Sequence, residues 1–335
     1  MLAAIFAGPR DFRLEELPDP IPGPDEVVVR VRAAGICGGD LHEYRAGAQL
    51  YPTPYPRPAQ GHELAGEVAA IGARVEDVVP GDRVAVQPMV SCGSCGACRS
   101  GRRALCPDLE HLGVARPGGF AELCLAPAAN VFRLPPQVGD DEGALLDCTA
   151  VAVHALSRVP VRPGAAVTVL GAGAIGLAVA QAATDAGGRV TVVARRRAPL
   201  DLALELGSRA VVDLGAGEAA PTGADVVFET AGGTTLLERS VAAAGAGGTV
   251  GLVGEAFDPQ LLDVAGAMTR ELSLAFVWSH DGDREYSRAL ELAALGAVRL
   301  APAVTHRYPL TELEEAFAAA ADRQRSGAIK VMVTP

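Results

Sequence analysis

Through the first 150 residues the apolar positions come in short runs broken by Gly or Pro. Residues 26–32, 66–71 and 82–86 have the Val- and Ile-rich character of strands. Pro22-Gly23-Pro24 and Pro80-Gly81-Asp82 supply turns between such runs. Residues 118–122 and 130–135 read as a turn and a strand returning to the same, mostly β, domain. The period then becomes helical over residues 144–156. A buried strand follows at 165–170, a helix at 177–185 and a second strand at 189–194. Further strands fall at 210–213, 224–229 and 248–254 with helices between them, the pattern of a doubly wound α/β domain. Beyond residue 277 the order changes: a helix at 283–295, the run 304–310, a helix at 312–321 and a strand at 329–333. These are expected to rejoin the first domain. The expected division is 1–150 with 278–335 as a catalytic domain, and 151–277 as a nucleotide-binding domain.

The bulk properties narrow the function classes. A chain of 335 residues with 49% apolar and 21% charged residues has material for two ordinary cores. A net charge of −11 argues against a general binder of nucleic acid or anionic membranes. No apolar run approaches the ~18 residues of a membrane span, and the N-terminus lacks the basic lead and apolar core of an export signal. Lys330 is the only lysine. Schiff-base chemistry and a Walker-type phosphate lysine are therefore excluded everywhere but there. An odd total of seven cysteines, four of them within fifteen residues, suits metal binding in a reducing, cytoplasmic setting.

Those four are Cys92, Cys95, Cys98 and Cys106, spaced C-x2-C-x2-C-x7-C. Four thiols in a glycine-bearing loop can close a tetrahedron on one zinc ion with no position open, a structural staple. Two disulfides or an iron–sulfur cluster are the alternatives; the two-residue gaps suit the first poorly and the last gap suits the second poorly. A second metal centre is suggested by Cys37 together with His62 and Glu63 in Gly61-His62-Glu63. A catalytic zinc needs three protein ligands and one open position, and it accepts thiolate, imidazole and carboxylate together. Asp147 and Cys148 enter the helix at 144–156, and one of the two is expected to face the metal. Asp147 equally suits the positive end of the helix dipole. His154 reads as a packed or surface histidine.

Gly171-Ala172-Gly173-Ala174-Ile175-Gly176 lies between a strand and a helix inside a βαβ unit. In that setting G-x-G-x-x-G is a dinucleotide-binding turn, with the pyrophosphate at the helix N-terminus. The second strand ends at Ala194, where an acid commonly binds ribose hydroxyls, and Arg195-Arg196-Arg197 follow. Guanidiniums attract a 2′-phosphate where a carboxylate would repel it, so NADP(H) is expected over NAD(H). The other reading is a solvated basic run. Loops after Phe228 and Val253 lie at strand ends, where such folds hold ligands.

Taken together, Gly35-Ile36-Cys37-Gly38 with Asp40 and His42, Gly61-His62-Glu63 with Gly66 and Val68, the four-cysteine lobe, Gly119-Phe120-Ala121-Glu122 and the glycine turn resemble the zinc-dependent medium-chain alcohol dehydrogenases over nearly the whole chain. Leu41-His42-Glu43-Tyr44 looks most like the polyol and butanediol branch. The resemblance implies a GroES-like catalytic domain with a zinc lobe beside a Rossmann domain. It implies Cys37 and His62 as catalytic zinc ligands, Glu63 as ligand or close partner, and Asp147, or else Cys148, as the third. It further implies hydride exchange between a nicotinamide and a secondary alcohol or its ketone, and a homodimer or homotetramer. Asp40 would orient the ligand loop, and His42 would pass the proton outward or else serve as a plain structural histidine. Two positions depart from the family: Gly39, where a relay hydroxyl is usual, and Ala194. An amino-cyclitol or sugar-like substrate, or a cofactor-binding sensor without turnover, are the alternatives these departures raise. Tyr44, Tyr51, Tyr55 and Trp278 are candidates for pocket lining or for packing.

Overall fold

The structure is a computed structural model that describes residues 1–46 and 55–335. Tyr51 lies outside the described residues. The chain forms two units, 1–147 with 281–294 and 304–335, and 148–280 with 295–303. Residues 148–150, 278–280 and 295–303, grouped by the sequence pattern with the first domain, fall in the second unit.

The first unit is built on a seven-stranded sheet. Its path runs Val131–Arg133, Arg83–Val86, Glu63–Ile71, Glu26–Gly35, Lys330–Thr334, Val304–Pro309, and Leu123–Pro127 also pairs with Glu26–Gly35. Val27, Val29 and Val31 alternate inward from the central strand, and Leu64, Val68, Val84, Val86, Val331 and Val333 join them in one core. The C-terminal strand is antiparallel to Glu26–Gly35, with Met332 opposite Gly35. This pairing carries the chain's end back to the domain that holds its beginning. The helix Leu313–Ala321 covers the sheet with Leu313, Ala316, Phe317 and Ala320, spaced three and four apart on one face. A smaller sheet orders Asp11–Glu16, Leu2–Gly8 and Arg57–Pro58. Its first two strands went unread in the sequence, where a short apolar start with no repeated alternation gives little signal.

The second unit is a six-stranded parallel sheet. Its order is Ala210–Asp213, Arg189–Ala194, Ala166–Leu170, Ala224–Glu229, Ala244–Leu252, Ser273–Phe276. Numbered along the chain this is 3-2-1-4-5-6, the doubly wound dinucleotide-binding order, with its switch point beside Ala166–Leu170. The helix after that strand starts at Ala174, a turn earlier than its apolar period suggests, because Gly173 is its N-cap and Gly176 lies inside it. Gly176 is required there: a Cβ would stand 2.2 Å from the carbonyl oxygen of Gly171. No described helix is long and apolar enough to cross a membrane.

Candidate active site and metal centres

Two adjacent segments of the first unit supply the candidate ligands. Cys37 follows the strand Glu26–Gly35 and precedes the helix Gly38–Ala46. His62 immediately precedes the strand Glu63–Ile71. The two strands pair antiparallel with Gly35 opposite Glu63, so register alone brings residues 37 and 62 to the same end of the sheet. The ligand atoms of Cys37, His62 and Glu63 all lie within 4.8 Å of one another. Asp40 is buried beneath them. Its Oδ2 accepts the backbone N–H of Cys37 at 2.8 Å, and its Oδ1 stands 3.8 Å from His62 Nδ1. His62 Nδ1 faces the Asp40 carboxylate but makes no hydrogen bond to it.

The electrostatics match that crowding. Burial pushes the Cys37 thiol up, against the pull of His62. Burial likewise raises Asp40 to about 6. Burial opposes charge on His62, yet Cys37 and Asp40, with Asp147 behind them, raise it well above the ordinary imidazole value. Thiol and imidazole protons of this kind are the ones a divalent cation displaces when it binds. The donor set fits zinc in chemistry and in spacing. Asp147 therefore acts on His62 through its charge, but it stands outside the compact group of Cys37, His62 and Glu63. Cys148 is buried at 2% exposure in the helix Leu146–Arg158. His154 is also buried. His42 is half-buried on the helix Gly38–Ala46.

Two residues that the sequence did not place at this site stand there. Lys330 is buried on the C-terminal strand, ion-paired with Glu63, and donates to the carbonyl oxygen of Ile36 at 2.9 Å. Gly35 makes the room: a Cβ there would fall 2.0 Å from Glu63 Oε2 and 3.0 Å from Lys330 Cε. The signal was present, since a lone cation inside the apolar run Ala328-Ile329-Lys330-Val331-Met332-Val333 needs a buried partner. His111 packs edge-on to His62 with ring centroids 5.0 Å apart, and its Nδ1 lies 3.0 Å from the carbonyl oxygen of Leu112. Nothing in its sequence neighbourhood marks it. Among the aromatic candidates, Tyr44 packs on Phe12 and Phe317, and Tyr55 on Phe6. Trp278 belongs to the second unit.

Cys92, Cys95, Cys98 and Cys106 form a second cluster. The sulfurs of Cys92 and Cys98, and of Cys95 and Cys106, are 3.9 Å apart. A disulfide would need about 2.05 Å. A tetrahedron of Zn–S bonds of about 2.3 Å has edges of about 3.8 Å, so the spacing fits one zinc ion. Backbone N–H groups of Cys98 and Cys92 point at the sulfurs of Cys95 and Cys106, both at 3.4 Å. Backbone N–H groups of Ser94 and Cys95 also draw the Cys92 thiol down to about 6.

In the second unit Gly171 has φ +110°, a left-handed conformation that favours glycine. Gly173 leaves the N-terminus of Ala174–Asp185 without a side-chain cap, and Ile175 lies in its first turn. The free N–H groups there suit a phosphate. Thr230 closes the next strand end onto Leu170 O, and Val253 N–H bonds Glu229 O at 2.9 Å. Ala194 ends its strand opposite Asp213. The Asp213 carboxylate is turned into its own loop, accepting from Gly215 and Ala216. Arg195 is exposed and Arg196 is half-buried, while Arg197 is held by Asp201 four residues on, at 2.8 Å.

Comparison with known proteins agrees with both halves. The alcohol dehydrogenase GroES-like domain family matches residues 23–136 and the zinc-binding dehydrogenase family residues 174–294. The chain is 34% identical to a sorbitol dehydrogenase of Bacillus subtilis, covering 100% of this chain and 97% of that one. It is also 34% identical to an L-threonine 3-dehydrogenase of Saccharopolyspora erythraea over 91% of each. A solved structure from Sinorhizobium meliloti, described as a zinc-binding dehydrogenase bound to NADP, superimposes with a TM-score of 0.91 at 32% identity, covering 100% and 99% of the two chains. A thiol, an imidazole and a carboxylate gathered at one sheet end, a four-sulfur lobe, a dinucleotide turn and these relatives make the chain a member of the zinc-dependent medium-chain alcohol and polyol dehydrogenase family.

Proposed function

We propose that this enzyme interconverts a secondary alcohol of polyol, diol or cyclitol type and its ketone, using NADP(H). The observation that carries the reading is the meeting of Cys37, His62 and Glu63 over the buried Asp40. Zinc held by Cys37 and His62, with Asp147 or Glu63 completing the set, would supply a Lewis acid for the substrate oxygen, and a nicotinamide bound by the second unit would be the hydride partner. The chain's own side chains do the rest. Asp40 fixes the Cys37 backbone and stands as a buried carboxylate beside the His62 ring. Lys330 neutralises Glu63. His42 is the residue placed by the family pattern to carry the proton outward. Gly39 has no hydroxyl to begin that relay, so a water or a substrate hydroxyl begins it. A Cβ at Gly39 would meet nothing within 4 Å. No neighbouring atom therefore excludes a larger substrate group beside Gly39. The cysteine lobe would hold a second, structural zinc.

The test is zinc content together with NADPH oxidation against a panel of ketones that includes cyclic polyol ketones. Bound zinc with no turnover on any of them would favour the sensor reading instead.

The preference for NADP(H) is supported by Ala194, by the inward turn of the Asp213 carboxylate, and by Arg195 and Arg196. Arg197 is committed to Asp201 and is no part of the clamp. Arg195→Asp is expected to weaken NADPH binding about 100-fold, since it replaces a charge-assisted contact with a repulsion. NADH binding should change less than about threefold by the same logic, because NADH has no 2′-phosphate. Equal losses for the two cofactors, measured by fluorescence titration, would defeat the clamp. Assembly into a homodimer or homotetramer is proposed from the family habit; light scattering that gives a monomer mass would reject it.

A further inference from the structure

We infer that Glu43 is a positioning residue for the metal site: through Arg57 and Gln60 it fixes the Cys37-bearing helix to the segment that carries His62. The inference rests on the metal-dependent reading above and adds to it a cluster that lies apart from the ligands.

Glu43 sits on the helix Gly38–Ala46, one turn after Asp40. Its carboxylate accepts from Arg57 Nη2 at 2.7 Å and Nη1 at 3.4 Å, a two-pronged pair, and from Gln60 Nε2 at 2.9 Å. Arg57 and Gln60 are each only 3% exposed. The Arg57 guanidinium lies 4.7 Å from the Tyr55 ring and 5.6 Å from the Phe6 ring, so its planar head is held on two sides. Arg57 is also paired by backbone with Phe6 in the small sheet. On the same helix Tyr44 stacks on Phe12 and Phe317, which fixes another face.

The consequence lies in the order along the chain. Gly35 and Glu63 are tied to each other in the large sheet. Glu43 ties to Arg57 and Gln60. Cys37 therefore lies between two anchored points, residues 35 and 43. His62 likewise lies between residues 60 and 63. Each ligand is held from both directions, and the two ties join the same two segments. Without the Glu43 tie, Cys37 is still held by Asp40 and residues 60 and 61 by backbone bonds from Phe120 and Gly119, but no side-chain bond joins the helix to the His62 segment at this point, so the distance between Cys37 and His62 is less tightly fixed. Metal sites and near-attack geometry tolerate little such slack.

The cluster also carries a cost that packing alone would not select. Arg57 Nε and Gln60 Oε1 are buried and make no hydrogen bond among the described residues. Orphaned buried polar atoms destabilise a fold, and apolar residues of similar volume would serve stability at least as well. What apolar residues cannot do is direct two hydrogen-bonded arms from one carboxylate to residues 57 and 60.

The experiment compares the wild-type protein with the double variant Glu43→Leu/Arg57→Met, which keeps volume and removes the buried charges together. Both are loaded with cobalt(II), with His62→Ala as the spectral blank for the cysteine lobe. The double variant is expected to melt within a few degrees of wild type. Its kcat should nevertheless fall at least tenfold with KM nearly unchanged, and the visible cobalt band assigned to the Cys37 site should shift or lose intensity. A wild-type kcat and an unshifted band would make the cluster ordinary packing and overturn the inference. If the double variant does not fold, Glu43→Gln, which keeps one acceptor for Gln60, is read by the same two criteria. A wild-type spectrum indistinguishable from the blank would overturn the metal-dependent reading itself, and the inference with it.

Discussion

His62→Ala is expected to lower kcat by about four orders of magnitude, equivalent to about 5–6 kcal/mol of transition-state stabilisation at 1.36 kcal/mol per tenfold. It should also release the metal beside Cys37 while leaving that of the cysteine lobe in place. The size of the effect follows from how few donors remain. Cys37 offers one sulfur, and Glu63 is already engaged by the buried Lys330. Asp147 acts on His62 through its charge, and even as a further donor it would not replace the lost imidazole. Without that imidazole the remaining donors, one of them shared with Lys330, hold zinc too weakly to keep it in competition with bulk water. The fold should survive, because His62 takes no part in the apolar core built on Val29, Val31, Leu64, Val68 and Phe120. The measurement is metal content by elemental analysis alongside steady-state turnover. A variant that keeps its metal and turns over within tenfold of wild type would remove His62 from the site.

The parts of this molecule that were legible in its sequence are those whose constraint is local. The cysteine lobe needs only the spacing of Cys92, Cys95, Cys98 and Cys106, and the four sulfurs meet as that spacing requires. The dinucleotide turn needs a strand, three glycines and a helix in succession, and Gly171, Gly173 and Gly176 sit at that turn. The strands at 189–194, 210–213 and 224–229 were also found at their own limits, because parallel strands covered by helices are near-continuous apolar runs. The helix after Cys37 was hidden: Gly38, Gly39, Asp40 and His42 give neither propensity nor an apolar stripe. Its start is set by the Asp40 carboxylate bonding back to Cys37 N–H, a contact that no periodicity reveals. His111 comes to His62 from a two-residue strand paired with Met89–Val90, far along the chain. Glu43, Arg57 and Gln60 each look like surface polar residues until the fold buries them together. Long-range partnership, in short, is written in the sheet register and not in any single stretch.

Lys330 is the strongest instance, and it gives the second large expected effect. Lys330→Met keeps the length and most of the volume of the side chain but removes the cation from Glu63. Glu63 is 1% exposed, so its carboxylate would be left as an uncompensated charge in a dry place. Breaking one half of a buried pair typically costs about 3–5 kcal/mol, far more than a surface pair. The variant is therefore expected to lose about 3–5 kcal/mol of stability in denaturant unfolding of the first unit. It should also lose the hydrogen bond to Ile36 O, which lies immediately before Cys37. The second variant Glu63→Gln/Lys330→Met separates the electrostatic loss from the packing loss. With no charge left to compensate, it should recover most of the stability lost by Lys330→Met, while its turnover stays well below wild type because both the carboxylate and its anchor are gone. Lys330→Met within about 1 kcal/mol of wild type would mean that the pair is solvent-screened, as exposed pairs are. A double variant no more stable than the single one would mean that Lys330 acts through its stem and the Ile36 carbonyl, not through Glu63.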